Sequence, residues 1–336
     1  MNAKKRSIAV LEGREADRTP VFPLLMGFTA RQSGHTYRQF AQNGTILAES
    51  QVRITEKYPV DVITACSDAF RLSADLGGEI VFPEEKPPHL NRPLIERRED
   101  LDKLGIPDMT GAKSRCADRV KAVREMARAV GETHFVLGWV DFPFAEACSA
   151  CGVANFMYML VDEPQLAHDI LAFLAEAVTH FALLQLEAGA PMIGAGDAAA
   201  SLVSPQMFAE YALPYERRVV EAIHRKGGLV KTHICGDTRK LMPLIAQNGS
   251  DLYNVDHMVS LDEAIRIYGG QGKAVKGNID PVEAILRARP KQVYASAREC
   301  INKASAAGAK YFLSPGCEIP PETGEENFRA FCEAAL

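Results

Sequence analysis

The fold of this chain is indicated by a helix-like pattern followed by a strand-like one, in Pro214-Tyr-Glu-Arg-Arg-Val-Val-Glu-Ala-Ile223 and Leu229-Val-Lys-Thr-His233. The first stretch has apolar residues at helical spacing. The second stretch is a short apolar run with β-branched residues, which is typical of a buried strand. Helices and strands that alternate with short links predict parallel pairing of the strands.

Apolar runs of the second kind recur eight times in the 336 residues, and helical spacing follows them. The runs cover residues 21–25, 61–64, 135–140, 191–194, 229–233, 252–255, 274–278 and 311–314. Eight repeats predict a closed (β/α)8 TIM barrel. The competing arrangement is a doubly wound open sheet, but no G-x-G-x-x-G sequence follows the first strand. We therefore predict a single α/β barrel domain over residues 1–336.

Two segments lie outside the repeat. Residues 1–19 are predicted to form an N-terminal helix. Residues 79–112, rich in Pro and charged residues, are predicted to be an insertion after strand 2, between the second and third strands. Two interpretations of this insertion stay open, a lid over the barrel mouth and a plain surface connection.

Two short pieces of the chain carry soft metal ligands at predicted strand ends. His233 and Cys235 are two residues apart, so their side chains point to the same side if residues 229–234 form a strand. Cys317 follows the strand-like run at 311–314. One imidazole and two thiolates form a three-ligand zinc set, which leaves a fourth position for a substrate. We predict this zinc site; the alternative is two unrelated thiols and a hydrogen-bonded core histidine.

Polar residues also follow the other predicted strands. They are Asp68, Asp197, Asp256, His257, Asn278, Asp280 and Glu318. In a (β/α) barrel the carboxyl ends of the strands surround one mouth, where active sites lie. Each carboxylate taken alone is equally well explained as a helix N-cap. The residues as a set predict an active site at this mouth.

The composition is that of an ordinary globular enzyme. Hydrophobic residues make up 47% of the chain, enough for a large core, and the net charge is −5 without a basic stripe. This charge argues against a nucleic-acid partner. The polar start of the chain lacks the apolar segment of a signal peptide, and we expect no membrane partner. The eight scattered cysteines are expected to be reduced, in the cytoplasm.

Several motifs resemble those of the uroporphyrinogen decarboxylase superfamily. They are Asp17-Arg-Thr-Pro-Val-Phe-Pro23, Gly194-Ala-Gly-Asp-Ala-Ala-Ala-Ser201, Gly277-Asn-Ile-Asp-Pro281 and Pro321-Glu-Thr-Gly-Glu-Glu-Asn-Phe-Arg-Ala-Phe331. Within that superfamily, His233-x-Cys235 with Cys317 is similar to the zinc motif of the methylcobamide:coenzyme M methyltransferase branch. The resemblance implies a (β/α)8 barrel, bound zinc, and a corrinoid such as methylcobalamin as methyl donor or acceptor.

The decarboxylase branch of the superfamily matches less well. Its Arg-Gln-Ala-Gly-Arg motif corresponds to Arg31-Gln-Ser-Gly-His35, so one arginine that would pair with substrate carboxylates is missing. Its Ser-Asp pair is matched by Ser67-Asp68, but its Gly-His-Gly corresponds to Gly316-Cys317-Glu318. The resemblance therefore favours the zinc branch.

We predict a zinc-dependent corrinoid methyltransferase that moves a methyl group between a methyl-corrinoid and a small thiol. The chain has no Asp-x-His-x-x-Gly corrinoid-binding motif, so the corrinoid is expected on a partner protein that docks over the barrel mouth. Glu318 and Asp197 are assigned to catalysis, and Asp68, Asn278 and Asp280 to cofactor binding. The alternatives are a decarboxylase acting on a tetrapyrrole, and a barrel that binds a corrinoid or tetrapyrrole without catalysis.

Overall fold

The main sheet is parallel and follows the order of the chain. The computed structural model describes residues Met1–Leu336. Its strands are β1 Val62–Thr64, β2 Ile80–Val81, β3 His89–Leu90, β4 Phe135–Asp141, β5 Met192–Gly196, β6 Leu229–His233, β7 Leu252–Asn254, β8 Ala274–Ile279 and β9 Tyr311–Pro315. Seven of them pair in the order β1-β4-β5-β6-β7-β8-β9, and β2 and β3 form a separate antiparallel pair. The predicted parallel α/β architecture is confirmed.

The sheet curls until both of its edges contact the same N-terminal segment. The amide of Phe22 donates to the carbonyl of Leu313 in β9 over 2.9 Å. On the other side, the amide of Asp61, which precedes β1, donates to the carbonyl of Val21 over 2.8 Å. The segment therefore lies between the first and last strands of the sheet.

This segment, predicted as the first strand over residues 21–25, is not a regular strand. Pro20 and Pro23 carry no N–H group and cannot donate to a strand ladder. The structure has only isolated parallel bridges here, from Val21 to Leu313 and from Leu24 to Glu318. The prediction of eight regular strands is confirmed for seven of them.

Helices alternate with the strands and cover the outside of the sheet. They are α1 Ala3–Leu11, α2 Gly27–Gln32, α3 Tyr37–Gln42, α4 Gly44–Lys57, α5 Arg71–Asp75, α6 Arg98–Leu101, α7 Arg115–Val130, α8 Pro143–Cys151, α9 Val153–Asp162, α10 Pro164–Glu187, α11 Pro205–Met207, α12 Leu213–Arg225, α13 Met242–Ile245, α14 Leu261–Tyr268, α15 Pro290–Ala306 and α16 Glu325–Glu333. Short 3-10 helices span Ala198–Leu202 and Gly269–Gln271, and π-helices span Phe208–Ala212 and Val282–Leu286.

The N-terminal helix is shorter than predicted. It ends at Leu11, whereas the prediction extended to residue 19. Gly13 adopts a φ of 73°, the left-handed conformation that ends helices and that glycine reaches without steric cost.

Residues of β4 alternate between two parts of the core. Phe135, Leu137 and Trp139 belong to a small apolar cluster inside the curled sheet, whereas Val136 and Val140 belong to the large cluster between the sheet and the helices. This alternation is the period of two expected of a strand whose two faces are both covered. It also directs Trp139 and Asp141 to the inner face.

Helix α10 is long and apolar enough to cross a membrane if only length and composition are considered, and the bent pair of α8 and α9 passes the same test together. Half of the apolar window of α10 is buried inside the protein, where this helix packs against β4, α8 and α12. Its apolar character therefore has an explanation within the fold.

Candidate metal site and its cavity

The strands bring the three predicted metal ligands together. His233 is the last residue of β6, Cys235 follows it by two residues, and Cys317 lies two residues beyond the end of β9. Cys235 Sγ lies 3.1 Å from His233 Nε2 and 3.6 Å from Cys317 Sγ. Two thiolates on one tetrahedral zinc are separated by about 3.8 Å, given a Zn–S distance of about 2.3 Å. The donor types and their spacing therefore fit a zinc ion.

His233 is held in the form that binds metals. Its Nδ1 lies 3.3 Å from the carbonyl oxygen of Asn254, to which it can donate, and this tautomer leaves Nε2 unprotonated toward Cys235. Burial lowers the pKa of His233, which favours the neutral imidazole. The side chain therefore needs no rearrangement to act as a ligand.

The contact between Cys235 and Cys317 shifts the pKa values of the two thiols in opposite directions. A hydrogen bond from Cys235 lowers the pKa of Cys317, although burial opposes this shift. The same contact with Cys317, together with burial, raises the pKa of Cys235. The cluster therefore favours one thiolate even without a cation.

A cavity of about 750 Å³ opens in front of these residues. All three ligands line it, and 16 of its 28 lining residues are hydrophobic, so it is a mainly apolar space of the size that takes small ligands. Residues 87–93 also line it, and they belong to the connection that was predicted to be an insertion. This part of the chain therefore covers one side of the site.

Asp68 lines the same cavity, but its carboxylate is already occupied. Arg115 donates to both of its oxygens over 2.8 and 2.9 Å, Ser67 donates over 2.7 Å, and the amide of Phe70 donates over 3.0 Å. Burial alone would raise the pKa of Asp68, but the Arg115 guanidinium outweighs it and holds the pKa well below its usual range. Asp68 is a fixed anion in the wall.

Glu318 adjoins Cys317 and is held by the backbone rather than by the cavity. Its Oε1 accepts a hydrogen bond from the amide of Gly27 over 2.8 Å. Burial raises the pKa of Glu318 to about 7. Its side chain is not among the groups that line the cavity.

Asn278 and Asp280, predicted to bind the cofactor, contact the backbone near β8. Asn278 Nδ2 donates to the carbonyl of Val259 over 2.6 Å. Asp280 Oδ1 accepts from the amides of Val282 and Glu283 over 2.8 and 2.9 Å, which caps the following π-helix. Neither residue lines the cavity, so the structure does not bring them together with the ligands.

Asp197, predicted to be catalytic, is fully buried beside Glu216 of α12 and does not line the cavity. Both Asp197 oxygens lack a hydrogen-bond donor, whereas Glu216 accepts from Asn248 over 2.8 Å. Burial and the neighbouring Glu216 raise the pKa of Asp197, and burial raises the pKa of Glu216 to about 7. Burial therefore favours the protonated form of both carboxyl groups.

Asp141 and Arg71 also belong to the site, although neither was predicted from the sequence. Asp141 ends β4 and lines the cavity, and its Oδ2 accepts from Arg71 over 2.8 Å. Burial raises the pKa of Asp141, and the Arg71 guanidinium opposes this shift. Asp141 directly follows the predicted strand at 135–140, so the search for polar residues at strand ends could have found it.

Lys231 was also missed. It lies two residues before His233 on β6 and is fully buried, with its Nζ 4.4 Å from the ring centroid of Trp139 and without a hydrogen-bond partner. Burial lowers the pKa of Lys231 to about 7. Its place inside the apolar run at 229–233, on the same side of the predicted strand as His233, is the signal that could have identified it.

The parallel sheet, with a His/Cys/Cys group that could hold a metal ion at the carboxyl ends of its strands, defines the class of barrel-like α/β proteins with a candidate site at the mouth. The chain belongs to the uroporphyrinogen decarboxylase (URO-D) family, which matches residues 2–336.

Relatives named uroporphyrinogen decarboxylase are similar to most of the chain. The protein of Hydrogenovibrio crunogenus (strain DSM 25203 / XCL-2) is 25% identical over 346 residues, which cover 98% of this chain and 95% of the relative. That of Xanthomonas campestris pv. campestris (strain B100) is 28% identical over 294 residues, 82% and 81% of the two chains.

Solved structures of two other proteins are similar in fold. A methyltransferase from Methanosarcina mazei has a TM-score of 0.88 at 22% identity and covers 99% of this chain and 98% of its own. A B12-independent methionine synthase from Shewanella sp. W3-18-1 has a TM-score of 0.55 at 11% identity, with 86% and 85% covered. At these identities the likeness concerns the fold alone.

Proposed function

We propose that the protein is a zinc-dependent corrinoid methyltransferase, which moves a methyl group between a methyl-corrinoid on a partner protein and a small thiol. The observation that carries this proposal is the convergence of His233, Cys235 and Cys317, whose ligand atoms lie within 4.8 Å of one another at the cavity wall. The similar structure from Methanosarcina mazei, a methyltransferase by name, supports the proposal.

His233, Cys235 and Cys317 would hold the zinc ion. Bound zinc would supply a fourth position at which a substrate thiol is favoured as thiolate. The chain prepares its own ligands for this role, because burial keeps His233 neutral and hydrogen bonding favours the Cys317 thiolate. Neutral imidazole and thiolate are the forms in which these side chains bind metal.

The apolar walls would contribute by excluding water from the thiol. Thiolate rather than thiol is the nucleophile that attacks a methyl carbon, and hydration weakens its reactivity. Trp139, Phe70 and Leu24 are among the apolar side chains that line the cavity beside the ligands. A thiolate placed here would be desolvated and oriented by its surroundings.

The methyl-corrinoid would come from outside the chain. The sequence has no Asp-x-His-x-x-Gly motif, and the cavity opens at the mouth of the sheet, where a corrinoid protein could dock. The direction of transfer depends on the partner and the substrate, and the ligand set is compatible with either.

The remaining predicted residues take more limited roles in this proposal. Glu318, next to Cys317, would position that loop and accept the thiol proton. Asp68 would shape the cavity wall through its ion pair, whereas Asn278 and Asp280 would act through the loop after β8. Asp197 would act indirectly, since it does not reach the cavity.

We further propose that residues 21–25 take the place of the first of eight barrel strands. Residues 79–112 would then be an insertion that covers the mouth, within a single domain over residues 1–336. We propose the cytoplasm as the location of the protein.

A decarboxylase of the uroporphyrinogen type is the second candidate function. The names of the relatives favour it, and Asp68 lines the cavity as that branch would require. Against it, Arg31 is exposed and lies in a separate surface depression with His35. The arginine that remains of the decarboxylase motif therefore does not face the main cavity. A barrel that only binds a tetrapyrrole would not need the three-ligand set.

Metal analysis followed by two activity assays tests the proposal. We expect about one zinc per chain, and methylation of a thiol by methylcobalamin that is accelerated when a corrinoid protein supplies the methyl group. Stoichiometric corrinoid in protein purified alone would contradict the separate carrier. Metal-free protein that releases carbon dioxide from uroporphyrinogen would identify the decarboxylase instead.

A further inference from the structure

Asp141 stands at the same level of the mouth as the metal ligands. In the sheet register Asp141 pairs with Gly196, and Gly196 pairs with His233. Strands are spaced by about 4.8 Å, so the Cα atoms of Asp141 and His233 are at most about 10 Å apart across the two intervals. A small molecule bound in the cavity can therefore contact both residues.

The glycine between them leaves room for the carboxylate. A Cβ atom at position 196 would lie 2.8 Å from Asp141 Oδ1, closer than a side chain tolerates. Asp141 therefore occupies the space over Gly196, and it lines the cavity there. Any larger residue at position 196 would displace the carboxylate.

One oxygen of Asp141 retains capacity to accept a hydrogen bond. Oδ2 is held by Arg71, a guanidinium that is itself 1% exposed. Oδ1 has the indole Nε1 of Trp139 at 3.4 Å, a long contact that leaves room for a second donor. The buried ion pair fixes the orientation of the carboxylate, so Oδ1 stays directed at its present position.

Asp141 is not the only charged group near the ligands, because Asp68, His89 and Arg92 also line the cavity and Arg71 has two buried nitrogens without a hydrogen-bond partner. The oxygens of Asp68, the second carboxylate of the wall, already accept hydrogen bonds from Arg115, Ser67 and the backbone. Lys231 is not part of the wall, and its ammonium lies over the ring of Trp139. Asp141 Oδ1 is therefore the carboxylate oxygen of the wall that has room for a further donor, and an anionic group placed directly against this oxygen would meet a like charge.

We propose that Asp141 selects the thiol substrate by accepting a hydrogen bond from a cationic amine on it. The sulfur of the same molecule would enter the site of His233, Cys235 and Cys317. The acceptor class is therefore an aminothiol or its methylated thioether. This inference rests on the proposed thiol-binding function.

The single tryptophan of the chain provides a direct readout, because Trp139 contacts Asp141 and lines the cavity. Zinc-loaded protein is titrated with 2-aminoethanethiol, 2-mercaptoethanol and 3-mercaptopropionate, and Trp139 fluorescence is followed. We expect the aminothiol to bind about 10- to 100-fold more tightly than the hydroxyl analogue, as one charge-assisted hydrogen bond allows, and the carboxylate to bind most weakly.

Asp141→Asn is the matched variant, and Asp262→Asn, an exposed aspartate on α14, is the control for loss of one charge. We expect the affinity ratio of aminothiol to hydroxyl analogue to fall to within about threefold in Asp141→Asn and to stay unchanged in the control. The ratio is measured on one protein sample, so partial loss of folded protein does not alter it. The ratio of the two affinities in the wild-type protein is itself a test of the proposal and requires no variant.

Equal affinities for the three thiols in wild type, tighter binding of the carboxylate, or an undiminished ratio in Asp141→Asn would each overturn the role of Asp141. These three results would leave the thiol-binding function intact. If zinc-loaded protein bound none of the thiols, the proposed function would fail, and this inference with it.

Discussion

The carboxyl ends of β6 and β9 differ from the carboxyl end of β8 in what their polar side chains contact. Asn278, the next-to-last residue of β8, donates to a backbone carbonyl, and Asp280, which follows β8, accepts from backbone amides. Cys235 instead has His233 and Cys317 as its side-chain neighbours. All of these residues occupy equivalent places in the repeat of strand and helix.

This contrast separates two roles that look the same in the sequence. A side chain whose hydrogen-bonding capacity is filled by its own backbone stabilises the loop after its strand. Side chains that converge, and whose donor atoms contact only one another, are available to bind a ligand. Asp68 is intermediate, because it lines the cavity although Arg115 fills its capacity.

The largest effect is expected on the ligand side of the comparison. Cys317→Ala should weaken zinc binding by more than about 100-fold, since even the hydrogen-bonding partners of zinc ligands contribute about 10- to 100-fold. Thiol methylation should disappear with the metal. Zinc content by elemental analysis and a thermal unfolding curve would measure both the site and the fold. Cys300→Ala, which removes a partly buried thiol of α15, should keep its zinc. Full zinc occupancy in Cys317→Ala would show that the convergent side chains after β6 and β9 do not form the metal site.

The intermediate case is tested through Arg115. Arg115→Met leaves the buried Asp68 carboxylate without its partner, which should cost about 3–5 kcal/mol in the free energy of unfolding at pH 7. The pKa of Asp68 is lowered in the folded state, so the ion pair stabilises above the unfolded pKa of about 3.9 and is lost as pH falls further. The difference from wild type in urea unfolding should therefore shrink below about pH 4. Arg124→Met, exposed on the same helix, serves as the control and should show neither effect.

A smaller effect is expected at Glu216, which is buried outside the cavity. Its pKa of about 7 lies above the ordinary value of 4.5, so the folded state binds a proton more tightly than the unfolded one. Wild-type stability should fall between about pH 4.5 and 7, by at most about 1.4 kcal/mol per pH unit from this group. Glu216→Gln should remove that slope, whereas Glu221→Gln, exposed on α12, should keep it. Parallel pH profiles of wild type and Glu216→Gln would show that the buried pair does not hold this proton.

The smallest effect is expected on the backbone-capping side. Asp280→Ala removes the acceptor for the amides of Val282 and Glu283 and should cost about 1 kcal/mol, as a lost N-cap does. Zinc content should stay at the wild-type value. A loss of zinc in this variant would mean that the loop after β8 supports the ligands, contrary to the contrast with β6 and β9.

Much of this architecture follows from patterns that are local in the sequence. Seven apolar runs became strands because short runs between helical segments bury both faces of a parallel sheet. The run at 21–25 did not, because Pro20 and Pro23 withhold backbone donors. The convergence of His233, Cys235 and Cys317 could be predicted because soft donors at two strand ends are chemically unusual, and strand ends converge in this fold.

The rest depends on partners that are distant in the chain. The ion pair of Arg71 and Asp141 spans 70 residues of sequence and that of Asp68 and Arg115 spans 47, so no local pattern predicts either one. Asp197 is fully buried and does not line the cavity, although its position after β5 is typical of a site residue. Side-chain direction at a strand end is set by packing, which the order of residues alone does not specify.

The contacts of the N-terminal segment have a consequence for how the protein is made. Phe22 hydrogen-bonds to Leu313, and Leu24 forms a bridge to Glu318, next to Cys317. On the ribosome, the segment around Phe22 cannot pair with β9 until almost 300 further residues have been synthesised. Such long-range pairing is slow to form. Cys317, the third proposed metal ligand, emerges with the same late stretch, so under the proposed function metal loading should coincide with the final step of folding and not precede it.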